Sequence, residues 1–298
     1  MTALVDGILP PMVTPFRDDE SIDEAGLRSE ARFMLNAGVH GLCVGGSTGE
    51  GQTLSIEETC RITEIALEEA NGTVPVIAGI IRDSTRDVIA YGNALKSVGA
   101  DALQITPVHY LFTSGDDGTY AFYERIASEV GLPIIIYNVI PWNTVLPDTL
   151  MRLSEIDQVV AVKQSGGDIH KLADLLLMNE GRLTIYSAVD DLLYPSFCLG
   201  ADGAIAAILT VLPAQSVALW DAVKRGDHAE ALVRHEQLLP VWRAINHPNM
   251  SARTKTALAL QGRAAGIARH PILPVADDER RTIARALERA GLSLGTAA

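Results

Sequence analysis

The stretch that runs from Pro133-Ile-Ile-Ile-Tyr-Asn138 to Val159-Val-Ala-Val-Lys163 holds two continuous apolar runs with a longer segment between them. Runs that are β-branched and apolar throughout, rather than alternating, read as parallel strands covered on both faces. The same rhythm repeats along the chain, with expected strands at residues 8–13, 41–44, 74–79, 102–106, 133–137, 159–163, 183–187 and 203–207. Strand, helix, strand, repeated in this way, gives either a closed barrel or an open doubly wound sheet. The count of eight favours an α/β fold of the (β/α)8 TIM barrel type. So does the lack of GxGxxG after an early strand. Gly45-Gly-Ser-Thr-Gly49 follows the second run, but it is no dinucleotide fingerprint and carries no Walker lysine.

Helix signals fall between the runs. Ser21-Ile-Asp-Glu24 and Ser55-Ile-Glu-Glu58 both read as capping boxes, and Asn36-Ala-Gly38 and Val98-Gly99 read as helix ends. From about Leu212 the pattern is helical, with breaks near Gly226, His247–Asn249 and Pro271–Pro274. The expected organisation is a barrel over residues 1–211 that carries the site and a C-terminal helical extension of three or four helices over 212–298.

Composition narrows the function. The chain has 298 residues, 48% of them hydrophobic and 20% charged, as in a soluble globular protein. Its 24 Lys and Arg against 37 Asp and Glu leave a net charge of −13. An acidic surface without a basic run repels phosphate backbones and anionic lipids, so neither nucleic acid nor a membrane surface is an expected partner. The three cysteines, Cys43, Cys60 and Cys198, show no CxxC spacing and read as free thiols of a reduced compartment. Residues 1–10 lack the basic segment and apolar core of a signal peptide. A cytoplasmic enzyme is expected.

Catalytic groups of a parallel barrel project from the C-terminal strand ends. Of five lysines, Lys96, Lys171, Lys224 and Lys255 fall in helical, surface-type contexts; only Lys163 closes an apolar run. Burial of an amine in an apolar barrel mouth disfavours its ammonium form and leaves a nucleophile suited to Schiff-base chemistry. Position alone leaves open a lysine that pairs with a carboxylate or reaches out to solvent. Tyr137 ends the preceding run, where its phenol would shuttle protons beside Lys163; a core tyrosine with its hydroxyl bonded is the alternative. Gly46, Ser47 and Thr48 offer amides and hydroxyls for a carboxylate, or form a plain glycine-rich loop. His109 and Tyr110 follow the fourth run and are candidates to face the site, although a lone histidine is more often structural. No HxH, HExxH or GxSxG occurs, so metal-dependent and serine-nucleophile chemistry are disfavoured.

From about Gly7 to near its end the chain resembles the dihydrodipicolinate synthase / N-acetylneuraminate lyase family. The matching motifs are Gly7-Ile-Leu-Pro-Pro-Met-Val-Thr-Pro-Phe16, Gly46-Ser-Thr-Gly-Glu50 with Leu54-Ser55, Tyr137-Asn138, Lys163-Gln-Ser-Gly-Gly-Asp168 and Gly200-Ala-Asp-Gly-Ala-Ile205. Each alone is weak; their order and spacing together are specific. The resemblance implies a class I aldolase-type barrel, usually a homotetramer without metal or organic cofactor. Lys163 would form an imine with a 2-oxo acid such as pyruvate, and Tyr137 would relay protons. Ser47 and Thr48 with their amides would hold the pyruvate carboxylate, and Gly203 and Ile205 would line its pocket.

Departures from the family pattern concern the second small substrate. The synthases carry an arginine after the Tyr-Asn pair that grips a carboxylate. Here Tyr137-Asn-Val-Ile-Pro-Trp-Asn143 places Trp142 and Asn143 there, and neither supplies a charged fork. Trp142 would instead offer an apolar or stacking wall. Where the synthases use a tyrosine two residues after Thr-Pro, this chain has Val108 and His109, with Tyr110 as a substitute if the loop shifts. The sugar-binding pattern of the lyases is echoed by Ala188-Val-Asp190-Asp191, but Ala207 stands where a hydroxyl is expected. The expected activity is a Schiff-base lyase or aldolase with an unidentified partner. Dihydrodipicolinate synthase and a 2-keto-3-deoxy acid dehydratase or deaminase are the alternatives within the same chemistry. A barrel that binds a 2-oxo acid without turnover is the alternative outside it.

Overall fold

The computed structural model describes residues 4–165 and 168–295. Two glycines of the Lys163–Asp168 motif, Gly166 and Gly167, and the chain ends lie outside the described residues. Eight strands form one parallel sheet: β1 (Gly7–Ile8), β2 (Leu42–Val44), β3 (Val76–Ile80), β4 (Ala102–Ile105), β5 (Ile134–Asn138), β6 (Val159–Gln164), β7 (Thr184–Ser187) and β8 (Gly203–Ala204). Their order is β1-β8-β7-β6-β5-β4-β3-β2. The two ends of that order meet through a parallel Pro11–Cys43 bridge and the bonds His40 N to Ile8 O and Met12 N to Cys43 O, at 2.9 and 2.8 Å. The sheet thus curls into the TIM barrel that the sequence rhythm predicts.

The helices are α1 (Glu24–Asn36), α2 (Ile56–Ala70), α3 (Thr85–Val98), α4 (Gly115–Val130), α5 (Pro147–Leu153), α6 (Ile169–Asn179), α7 (Leu193–Cys198), α8 (Ala207–Val211), α9 (Pro213–Lys224), α10 (His228–Ile245), α11 (Met250–Ala259) and α12 (Asp277–Arg289). Ser55 caps α2 as expected: its hydroxyl accepts from Glu58 N, and the Glu58 carboxylate accepts from Ser55 N at 2.9 Å. The expectation at Ser21 fails. Helix α1 starts two residues later, behind Asp23, and the Ser21 hydroxyl donates to Asp19 at 2.6 Å instead. The first and last strands are also shorter than expected. Pro10 and Pro11 have no N–H to donate to a ladder, and α8 begins at Ala207, so β8 stops at Ala204.

Strand alternation sets what fills the barrel. A buried cluster of Leu9, Cys43, Ile77, Ala102, Ile135, Ala161, Tyr186 and Ile205, drawn from all eight strands or the residues that follow them, packs the interior. Side chains recur on one strand face every second residue. Ile135 and Ala161 therefore commit Tyr137 and Lys163 to the interior one layer higher, at the C-terminal end. Gly203, in register with Gly7, closes the seam between β8 and β1; a Cβ there would lie 2.1 Å from Gly7 O. Helix α9 packs on β1 and α7 as well as on α10.

Backbone crowding at the seam gives the first prediction. Gly203→Ala is expected to destabilise the fold by at least the roughly 1–3 kcal/mol typical of an overpacked core. Thermal unfolding that is unchanged in this variant would contradict the seam as described.

Candidate active site

The barrel mouth opens into a cavity of ≈ 430 Å³. Tyr137 and Lys163 are directly paired across β5 and β6. The Lys163 Nζ stands 3.8 Å from the centroid of the Tyr137 ring, and both side chains are buried, at 4% exposure each. The Tyr137 hydroxyl donates to Ser47 Oγ at 3.0 Å. Lys171 and Lys255 have carboxylate partners, whereas Lys163 has none among the described residues.

Ser47 and Thr48 start a 3-10 turn, Ser47–Gly49, directly after Gly46. The turn folds in over the barrel because Gly79 carries no side chain: a Cβ there would lie 2.6 Å from Gly45 O and 2.8 Å from Gly46 N. Thr14 Oγ1 donates to Gly49 O at 2.7 Å and ties the turn to the segment after β1. Ala188 and Ala207 line the cavity. Their small side chains leave room that larger residues would fill.

Asp190 faces the same cavity from the turn Asp190–Leu192. Its Oδ1 accepts from Ile208 N at 2.8 Å. Burial pushes its carboxyl up to about 7, opposed by that amide and by the positive charge of Lys163.

Of the residues expected at the site, Ser47, Thr48, Tyr137, Lys163, Asp190 and Ile205 line the cavity, and Gly46 opens the turn that carries two of them. Four others do not line it. Gly203 serves the barrel seam. The backbone N–H groups of His109 and Tyr110 both point to Asp83 Oδ1, the latter at 3.0 Å, and the Tyr110 ring is 71% exposed. The Asn143 amide donates to Val108 O at 2.7 Å, beside Trp142 Nε1 on His109 O at 2.9 Å. These bonds zip the 108–110 loop to the turn Pro141–Asn143 and engage the Asn143 amide expected to face a substrate; Trp142, the expected wall, is itself 63% exposed. Sequence reading also missed Trp242, Asn246 and Met250, which line the cavity from α10, α11 and the segment between them. No local pattern marks them, because only the packing of the extension on the barrel brings them there.

Among the described residues no group of three or more His, Cys, Asp or Glu is placed to hold a metal ion, and no helix is long and apolar enough to cross a membrane. The three cysteines are free thiols.

A parallel barrel with a buried lysine and tyrosine paired at its C-terminal mouth defines a class I aldolase-type lyase. Sequence comparison agrees: residues 4–290 match the Dihydrodipicolinate synthetase family, and the chain belongs to that family. It is 35% identical to a 4-hydroxy-tetrahydrodipicolinate synthase of Methanopyrus kandleri over 293 residues, 97% of each chain. Among solved structures it is similar to the dihydrodipicolinate synthase of Acinetobacter baumannii complexed with pyruvate. That match has TM-score 0.90 and 29% identity, and covers 97% of this chain and 100% of the other. It is also similar to YagE, a prophage protein of E. coli K12 in complex with pyruvate, with TM-score 0.92 and 26% identity over 98% and 100% of the two chains.

The raised Asp190 carboxyl makes stability depend on pH in a stated direction. An unfolded aspartate releases its proton near pH 4, while the folded one holds it up to about 7. Between those values the folded state binds the extra proton, so this group's contribution to stability falls as pH rises. Thermal unfolding of Asp190→Asn across pH 4–8 should lack that fall, and identical pH dependence in the two proteins would contradict it.

Proposed function

We propose that the chain is a pyruvate-dependent class I aldolase-type lyase whose covalent carrier is Lys163. The observation that carries this reading is the contiguous line of Lys163, Tyr137 and Ser47, with an amine over a phenol and that phenol bonded to the hydroxyl of the turn. The Lys163 amine, in its unprotonated form, adds to the C2 carbonyl of pyruvate, and a carbinolamine forms. Tyr137 delivers a proton to the departing hydroxyl, water leaves, and a protonated imine remains beside the tyrosinate. The iminium acidifies the neighbouring C–H, the Tyr137 oxygen takes that proton back, and the enamine so formed adds to a carbonyl partner; the reverse sequence cleaves the product. Ser47 and Thr48 with their amides seat the carboxylate. The pyruvate complexes of the A. baumannii and E. coli relatives support this choice of 2-oxo acid. No organic cofactor or metal is required, since the lysine supplies the electron sink.

The acceptor end of the cavity carries Asp190, Asp191 and Asn246, and among the described residues no arginine lines it. A carboxylated partner would find no guanidinium fork there. This supports an uncharged, hydroxylated carbonyl compound as the second substrate, in a lyase or in a dehydratase of 2-keto-3-deoxy acids. The synthase reaction is the second reading, favoured by the name of the M. kandleri relative. We further propose a cytoplasmic homotetramer. Free cysteines support the compartment, and the exposed Tyr110, Leu111, Phe112 and Trp142 support assembly, since large apolar side chains grouped on a surface mark interfaces.

Borohydride reduction in the presence of pyruvate is expected to leave one stable adduct, mapped by peptide mass to Lys163 and abolished by Lys163→Ala. Tyr137→Phe should slow its formation by about 10²–10⁴-fold, the range of a lost proton relay. An adduct on another lysine, or none, would remove the mechanism. Turnover assays with aspartate semialdehyde, N-acetylneuraminate and 2-keto-3-deoxy sugar acids separate the acceptors. Efficient use of aspartate semialdehyde with pyruvate would establish the synthase reading instead.

A further inference from the structure

The turn that carries Ser47 and Thr48 is held from behind by the helical extension. Glu50 stands between the turns Ser47–Gly49 and Gly51–Thr53 with φ 57°, in the left-handed region that a residue with a Cβ seldom adopts. Its N–H closes the first turn on Ser47 O at 3.1 Å. Its carboxylate is buried, at 1% exposure, and both oxygens bond to the extension: Oε1 accepts from Lys255 Nζ at 2.6 Å and Oε2 from Arg269 N at 2.9 Å.

Lys255 is equally enclosed, at 2% exposure. Its ammonium also donates to Ile267 O at 2.5 Å and stands 4.5 Å from the centroid of the Phe16 ring. The surface context expected of this lysine is therefore wrong, since α11 turns it inward onto the loop. Arg269 stacks over the same ring at 4.2 Å and reaches Thr53 O, at the end of the second turn, at 2.9 Å. The loop is thereby gripped at Glu50 and again at the end of the second turn.

A buried ion pair is a weak source of stability, because desolvation of two charges offsets their attraction; its better-attested use is to fix one arrangement of the chain. Every partner of this pair lies on the loop, on Phe16 or on the extension, and none faces the cavity. We infer that Glu50 and Lys255 are positioning residues that hold Ser47, Thr48 and their amides in the geometry that receives the 2-oxo acid carboxylate. The inference rests on the reading of that turn as the carboxylate seat. The pair acts through Ser47 and Thr48, so its loss falls on the affinity for the 2-oxo acid rather than on the imine step at Lys163.

The test follows Lys163 adduct formation by borohydride trapping as a function of pyruvate concentration. Glu50→Gln/Lys255→Met removes both charges together and leaves no lone buried ion. Its half-saturating pyruvate concentration should rise by about tenfold, one decade of affinity, while the trapping rate at saturation stays within about threefold of wild type. A folded double variant whose half-saturation matches wild type would reduce the pair to a structural tie and overturn the inference. Glu50→Asp keeps the charge and withdraws it by one methylene; should the double variant not fold, this protein decides in its place. It should show the same one-sided rise in half-saturation, and an unchanged value overturns the inference. A wild-type protein that gives no Lys163 adduct defeats the imine reading itself, and the two failures are thus distinguishable.

Discussion

The structure depends on one constraint: the period of a β-strand places Tyr137 and Lys163 on the inner face of neighbouring strands, one layer above a packed interior. Below them the barrel is closed by side chains from each strand or the residue that follows it, so the amine has protein beneath it and the cavity above. Around them the residues are small, with Ala188 and Ala207 on the wall and Gly79 beneath the folded-in turn. The amine stands over the phenol ring without a carboxylate partner among the described residues. A lysine so placed is left for a carbonyl, whereas one locked against an acid is not.

The rest of the molecule serves this pair in two ways. The segments after β1 and β2 approach each other, and the second also approaches β3 at Gly79, closely enough to set a hydrogen-bonding turn over the mouth, linked to the phenol through Ser47. The extension closes the far wall with Trp242, Asn246 and Met250 and reaches behind the turn through Lys255 and Arg269. The helical tail is thus part of the site as well as a neighbour of the barrel.

Sequence made the barrel legible because parallel strands buried on both faces are continuous apolar runs. It blurred their ends where Pro10 and Pro11 interrupt the ladder and where α8 starts sooner than the apolar pattern stops. Lys163 and Tyr137 stood out because a polar residue at the end of such a run has few structural reasons to be there. Loop residues were less legible. Whether His109, Tyr110 and Asn143 line the cavity depends on bonds to other segments: Asp83 Oδ1 accepts from the backbone N–H groups of the first two, and Val108 O accepts from the Asn143 amide. Lys255 sits in an ordinary helical pattern, and its burial is set by Glu50, 205 residues away in the chain. Contacts of that separation leave no local trace.

The most direct measurement of the central claim is a crystal structure of the protein soaked with pyruvate. Continuous density from Lys163 Nζ to C2 of the ligand, with its carboxylate against Ser47 and Thr48 and the Tyr137 hydroxyl beside the new bond, is the predicted result. Pyruvate bound elsewhere, or seated in the cavity with Lys163 turned away from it, would contradict the account.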